Sequence, residues 1–118
     1  MTNQEAFDKM VAHLRKQGQK AHDVNVVGLY RTKDGLMCAV GCLITDAEYK
    51  RGMEGMGVEA MMSAYDIRFG VNENLLAEMQ DTHDAWDPLH WEARFADTAA
   101  RFGLVYVPAT PIQPTTPT

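Results

Sequence analysis

Residues 29–44 of the chain read LYRTKDGLMCAVGCLI, and this stretch decides the predicted fold. Asp34 and Gly35 lie between two apolar runs, which is a hairpin signal because both residues tolerate the positive φ of a tight turn. We therefore predict a small two-stranded β-hairpin, with residues 29–31 and 36–39 as its strands. An isolated hairpin is only marginally stable in water, so it must pack against helices.

The remainder of the chain has the apolar periodicity and the capping signals of helices. Asn72 is placed to cap one helix, and Thr45 and Glu48 have the spacing of a capping box. We predict helices at about residues 3–17, 45–52, 58–66, 72–86 and 88–102. A chain of 118 residues is one domain. The prediction is therefore a mainly helical α+β fold with about five helices and one small β-hairpin.

The end of the chain has a different composition. Proline and threonine dominate residues 108–118, and Ile112 is the one large apolar side chain there. Such a segment cannot bury enough apolar surface to fold. We predict a globular domain over residues 1–107, with 104–107 as a last strand or a strap, and a flexible tail over 108–118.

The charge balance limits the classes of partner. The net charge is −5, which argues against direct nucleic-acid binding because that needs clustered cations. The acidic excess is also too small for a carboxylate face that would mimic DNA. No apolar run approaches the roughly 18–20 residues needed to cross a bilayer, and the first residues lack a basic-then-apolar leader. We expect a protein of a reducing cytoplasm with no membrane partner.

Cys38 and Cys42 are the two cysteines of the chain. With Gly41 they form a small-apolar motif that is typical of a core, since a free cysteine behaves as a small apolar side chain. A structural zinc site needs about four ligands, usually in two pairs, and the histidines are scattered. We predict buried thiols, and neither a metal nor a cofactor.

Four polar residues are candidates for binding, namely Arg31, Glu54, His83 and Asp84. His83 lies on the apolar stripe of its predicted helix, where a histidine usually hydrogen-bonds a carbonyl or a carboxylate. The alternative is that His83 and Asp84 contact a ligand. Glu54 is a candidate to cap the helix at Val58, to pair with Arg31 or to act as a general base. We assign no catalytic residue, because no nucleophile or partner acid lies near Glu54 in the sequence.

A combination of motifs runs along most of the chain. Residues 30–44 follow the pattern Y-R-x-x-D-G-x-x-C-A-V-G-x-L-I, and Glu54-Gly55, Leu76, Gln80 and His83-Asp84 follow at their own spacings. Over about residues 1–104 this combination resembles a family of small proteins encoded by tailed bacteriophages and prophages. Thr45 departs from the pattern, in which proline is expected after Leu-Ile.

The resemblance implies a protein that acts in the cytoplasm of an infected bacterial host, and it implies no reaction. We expect a non-enzymatic accessory protein that binds and modulates a host protein, such as an inhibitor of a bacterial defence system like CRISPR. The alternative is a small-molecule or nucleotide-binding protein, including a metal-dependent hydrolase that uses His83, Asp84, Glu54 and Cys38. The target protein and the oligomeric state stay open at this point.

Overall fold

The computed structural model describes residues 1–22 and 29–109. In these ranges the chain forms four α-helices joined by turns and three short 3₁₀ helices. The α-helices are α1 (Asn3–Gln17), α2 (Val58–Ala64), α3 (Glu73–Ala85) and α4 (Trp91–Phe102), and the 3₁₀ helices are Gly41–Leu43, Arg51–Met53 and Pro88–His90. No helix in these ranges has both the length and the apolar composition that a membrane span requires.

Helix α1 has the bounds that its sequence predicts. The Thr2 side chain accepts from the Glu5 backbone N–H, and the Glu5 carboxylate accepts from the Thr2 N–H, so a complete capping box begins the helix. Gly18 ends it with a left-handed φ of 66°, a conformation that is easiest for glycine. The apolar stripe of α1 is buried along its whole length.

Helix α3 lies at the centre of the core, since it contacts α1, α2 and α4. Its Leu75, Leu76 and Met79 side chains are fully buried. Asn72 caps it, as predicted, by accepting from the backbone N–H of Asn74. Four of the predicted helices are therefore confirmed, with α2 ending two residues early and α4 preceded by a 3₁₀ turn.

The predicted β-hairpin is wrong. In residues 1–22 and 29–109 one isolated antiparallel bridge joins Arg31 to Met37, and no sheet forms. The turn itself exists, with Gly35 at a φ of 91°. The ladder stops because the Leu29 N–H bonds to the Ala21 carbonyl, at 2.9 Å. On the other arm the backbone has turned helical by Val40, at φ −72° and ψ −32°.

Side chains of neighbouring elements bind the backbone groups that a wider sheet would use. The Met37 N–H donates to the Gln17 Oε1 atom at 2.8 Å, and the Met37 carbonyl accepts from Gln17 and from His13. On the first arm the Arg31 N–H donates to the Glu54 carboxylate. The predicted α+β class is corrected accordingly: the described part of the chain is a helical domain with an irregular arm, residues 29–37.

The predicted helix at residues 45–52 is also wrong, although its capping box forms. The Glu48 N–H donates to the Thr45 Oγ1 atom at 3.2 Å, and the Thr45 N–H donates to the Glu48 carboxylate at 3.0 Å. One turn later the chain is extended at Lys50, with φ −132° and ψ 141°. This early exit lets the Tyr49 hydroxyl reach Glu54, so a tertiary hydrogen bond overrides the local helix signal.

After α4 the chain crosses α1 as an extended strap, residues 104–109. The Gln4 side-chain amide pairs with the Val105 backbone in both directions, at 2.8 and 3.0 Å, as a strand would. Arg15 donates to the Val107 carbonyl at 2.7 Å. Of the two alternatives for residues 104–107, the strap is therefore the observed one. The structure describes Pro108 and Ala109 of the predicted tail, and residues 110–118 lie outside the described ranges.

Candidate functional site

Residues 38–41 of the cysteine motif lie in the core, as predicted, whereas Cys42 is only half-buried. Cys38, Ala39 and Val40 are fully buried, and Gly41 is buried with them. The Gly41 N–H donates to the Cys38 sulfur at 3.2 Å, and the Cys42 thiol donates to the Ala39 carbonyl at 3.0 Å. The motif thus folds into a compact turn that closes on its own sulfur atoms, and its role in this structure is packing.

Burial raises the pKa of the Cys38 thiol to about 12 and that of the Cys42 thiol to about 11. Because both values exceed the unfolded pKa of about 8.5, the thiols contribute full stability below that pH and less as the pH rises towards their folded values. We predict that the urea midpoint falls between about pH 9 and pH 11. The fall should be smaller in the double variant Cys38→Ala/Cys42→Ala. A wild-type midpoint that is constant over this interval would contradict the prediction.

Glu54 joins the irregular arm to the loop before α2. Its carboxylate accepts from the Tyr30 N–H at 2.8 Å, the Arg31 N–H at 3.1 Å and the Tyr49 hydroxyl at 2.6 Å. Burial and this hydrogen bond to Glu54 raise the pKa of Tyr49 to about 12. Glu54 does not cap α2, because Gly57 is the N-cap residue there and no side chain bonds to it.

The Arg31 guanidinium points away from Glu54 and binds the following loop. It donates to the Asp46 carboxylate and to the Ile44 carbonyl, both at 2.6 Å. It also lies over the Tyr49 ring, 4.9 Å from the ring centroid. Arg31 and Glu54 therefore belong to one cluster, but the bond between them is made by the Arg31 backbone.

His83 joins α3 to the segment after α1. The side chain is fully buried, and its Nε2 atom accepts from the Ala21 backbone N–H at 2.9 Å. Since Nε2 accepts, the ring proton lies on Nδ1 and is donated to the Asp84 carboxylate at 2.6 Å. The ring also stacks on Trp91, with centroids 5.8 Å apart. Both ring nitrogens are therefore used inside the protein.

Gln80, one turn before Asp84, joins α3 to the cysteine motif. Its side-chain carbonyl accepts from the Val40 N–H at 3.1 Å, and its amide group donates to both Asp84 oxygens at 3.0 and 3.2 Å. Sequence reasoning quoted Gln80 as part of a motif but gave it no role. Its spacing of three and four residues from His83 and Asp84 places the three on one face of a helix, and this was the available signal.

The four candidate binding residues therefore fall into two clusters, Arg31 with Glu54 and His83 with Asp84.

Comparisons of the chain with protein-family models, with curated proteins and with solved structures found no match.

Sequence reasoning missed the most exposed apolar feature, the bend between α3 and α4. We define the 86–90 corner as Trp86, Asp87, Pro88, Leu89 and His90. The Leu89 side chain is 88% exposed and Trp86 is 38% exposed. Trp86 fits the inward stripe of α3 by spacing, but its backbone is extended, at φ −121° and ψ 142°. The signal was Asp87-Pro88, which ends the stripe before Trp86 can complete it.

Proposed function

We propose that this chain is a phage-encoded accessory protein that binds and modulates a host protein through the 86–90 corner, in the cytoplasm of the infected bacterium. The target is a component of a bacterial defence system such as CRISPR. The phage origin rests on the motif resemblance. The observation that carries the binding role is the exposure of Leu89 beside Trp86 and Pro88, because contiguous exposed apolar side chains mark interaction sites.

The 86–90 corner has the order that an interface anchor requires. The Trp91 indole N–H donates to the Trp86 carbonyl at 2.9 Å, and the His90 N–H donates to the Asp87 carbonyl at 2.8 Å. The Arg94 guanidinium lies 4.8 Å from the centroid of the Trp86 ring. An ordered corner loses little conformational entropy on binding, and tryptophan and arginine are the side chains that most often dominate binding energy.

The charges around the corner indicate the chemistry of the partner. Asp87 is exposed within the corner. Asp84 and Glu92 are partly exposed on the helices beside it, where Asp84 bonds His83 and Glu92 pairs with Arg15. The chain as a whole has a net charge of −5. The complementary surface is an apolar pocket with a basic rim. Host proteins that handle nucleic acid carry such basic surfaces, and RNA-guided defence effectors hold their duplex in a positively charged channel.

The internal hydrogen bonds favour this binding role over the metal-dependent hydrolase. A hydrolase needs a histidine nitrogen and carboxylates that converge on an open cleft. Both nitrogens of His83 are bonded to Ala21 and Asp84, and the Glu54 carboxylate has three donors. The Cys38 thiol is fully buried. The four residues of the hydrolase hypothesis are therefore bonded to groups of the protein itself or buried.

Affinity purification with paired variants tests the proposal. Tagged wild-type protein, Leu89→Asp and Val105→Asp are expressed in the bacterial host, and co-purifying proteins are quantified by mass spectrometry. Val105 is a matched control because it is also an exposed apolar residue, 67% exposed, and it lies beside Gln4 at the start of α1. Leu89 lines a groove together with Leu14 and Gly18, which are about 15 Å or more from Gln4 along the direction of α1.

We predict that one host protein co-purifies with the wild type and with Val105→Asp, and that its yield with Leu89→Asp falls at least about tenfold. A charge placed at the centre of an apolar contact should cost this much, since interface anchors contribute about 2 kcal/mol or more. All three proteins should melt at similar temperatures. Equal recovery with Leu89→Asp and the wild type would contradict the proposed corner.

A further inference from the structure

A second surface feature is a groove beside the irregular arm. It has a volume of about 490 Å³, within the range of small-molecule sites. The groove residues comprise three cations, one acid, one aromatic residue and two others: Arg31, Lys33, Arg51, Glu54, Tyr49, Leu29 and Thr32. A cationic groove is unexpected on a chain with a net charge of −5.

Two of the cations form no bond with another side chain in the part of the chain that the structure describes. Lys33 and Arg51 are exposed and take part in no ion pair or side-chain hydrogen bond within residues 1–22 and 29–109. The groove's acid is occupied, because the Glu54 carboxylate already accepts from Tyr30, Arg31 and Tyr49. Those three donors are neutral, so Glu54 keeps its charge. Among the described residues that line the groove, three cations therefore face one carboxylate.

Arg31 is held ready for an anion. The Ile44 carbonyl and the Tyr49 ring fix the plane of its guanidinium. Its remaining contact is the Asp46 carboxylate, whose side chain is 98% exposed. The Arg31 side chain is largely buried, but the Asp46 carboxylate is solvated whether or not it is paired, so an external anion can take its place at Arg31 without leaving Asp46 as a buried charge. A planar guanidinium suits the oxygens of a phosphate group.

We propose that this groove binds a phosphate-bearing small molecule of about mononucleotide size. Arg31, Lys33 and Arg51 receive the phosphate, with the Arg31 donor that now bonds Asp46 turning to a phosphate oxygen. Leu29 and the edge of the Tyr49 ring contact the organic part. The site shares no residue with the 86–90 corner, so this proposal does not depend on binding of a host protein.

Calorimetric titration tests the groove with defined probes: AMP, GMP, CMP, UMP, ribose 5-phosphate and, as the uncharged comparison, adenosine. At low salt at least one of the phosphates should bind with a Kd of about 1 mM or tighter, and more weakly as salt is added. Lys33→Gln/Arg51→Gln should weaken it about tenfold or more. Asp46→Asn should tighten it, because it removes the competing carboxylate.

The matched control is Lys9→Gln/Lys16→Gln, which removes the same charge from exposed positions on α1 and should change the Kd less than about twofold. Leu89→Asp should also leave the Kd unchanged, which separates this test from that of the host-protein proposal. The inference is overturned if no phosphate binds up to about 10 mM, if adenosine binds as tightly as AMP, or if both double variants lose affinity equally.

Discussion

Gly41→Ala is expected to lower the free energy of unfolding by about 3 kcal/mol or more. An added Cβ atom would lie 2.2 Å from the Tyr30 carbonyl oxygen and 3.2 Å from the Cys38 sulfur. The first atom belongs to the backbone, so it cannot rotate away as a flexible side chain would. The variant must therefore separate the irregular arm from the cysteine motif. Urea denaturation followed by circular dichroism measures the loss.

Gly57→Ala is the control for this change. Gly57 has an ordinary φ of −63° and no atom within 4 Å of an added Cβ. It is the N-cap of α2, where glycine and alanine differ by no more than about 1 kcal/mol. If Gly41→Ala unfolds at the same urea concentration as Gly57→Ala, the close packing of the arm on the motif is wrong.

His83→Ala is expected to cost about 3 kcal/mol. The variant leaves the buried Ala21 N–H without its acceptor, at about 1–3 kcal/mol, and it opens a cavity beside Trp91. The exposed His90 is the control, and His90→Ala should cost about 0.5 kcal/mol or less. Equal unfolding free energies for His83→Ala and the wild type would reject the structural role and favour a ligand-binding one.

The helices were predictable because their signals are local. Thr2, Gly18 and Asn72 act on residues within one turn of themselves, and the apolar stripes need only a period. The hairpin and the helix at residues 45–52 failed for the opposite reason. The backbone groups of the hairpin are bound by side chains that are distant in sequence, such as Gln17 at Met37 and Glu54 at Tyr30, and the helix is replaced by the tertiary bond from the Tyr49 hydroxyl to Glu54. No periodicity encodes such contacts.

The candidate site was partly predictable for the same reason. The buried cysteine motif followed from its small apolar residues, and the inward direction of His83 followed from its place on a helix stripe. The hydrogen-bond partners of those residues could not be predicted from the sequence. Val40 approaches Gln80, and Ala21 approaches His83, only in the folded chain. Leu89 carried no sequence signal at all, since one exposed leucine in a turn resembles any other.

The contacts give the motif residues a common physical role. Glu54 binds the backbone at Tyr30 and Arg31, Gln80 binds Val40, and His83 binds Ala21. These residues are among those on which the resemblance to phage proteins rests. Gln80 and His83 hold irregular segments against α3, and Glu54 holds Tyr30 and Arg31 against the loop before α2. Their side chains are therefore engaged in the fold, and the surfaces that we propose for binding are the 86–90 corner and the cationic groove.

The most direct test of the central claim is phage plating on matched bacterial strains that differ only in one defence system, such as a CRISPR system targeting that phage. The strains express the wild type, Leu89→Asp or Val105→Asp at equal levels. We predict that the wild type and Val105→Asp raise plating on at least one defended strain. Leu89→Asp should leave that strain defended. Rescue of plating by Leu89→Asp to the wild-type level, or no rescue by the wild type on any defended strain, would contradict the account.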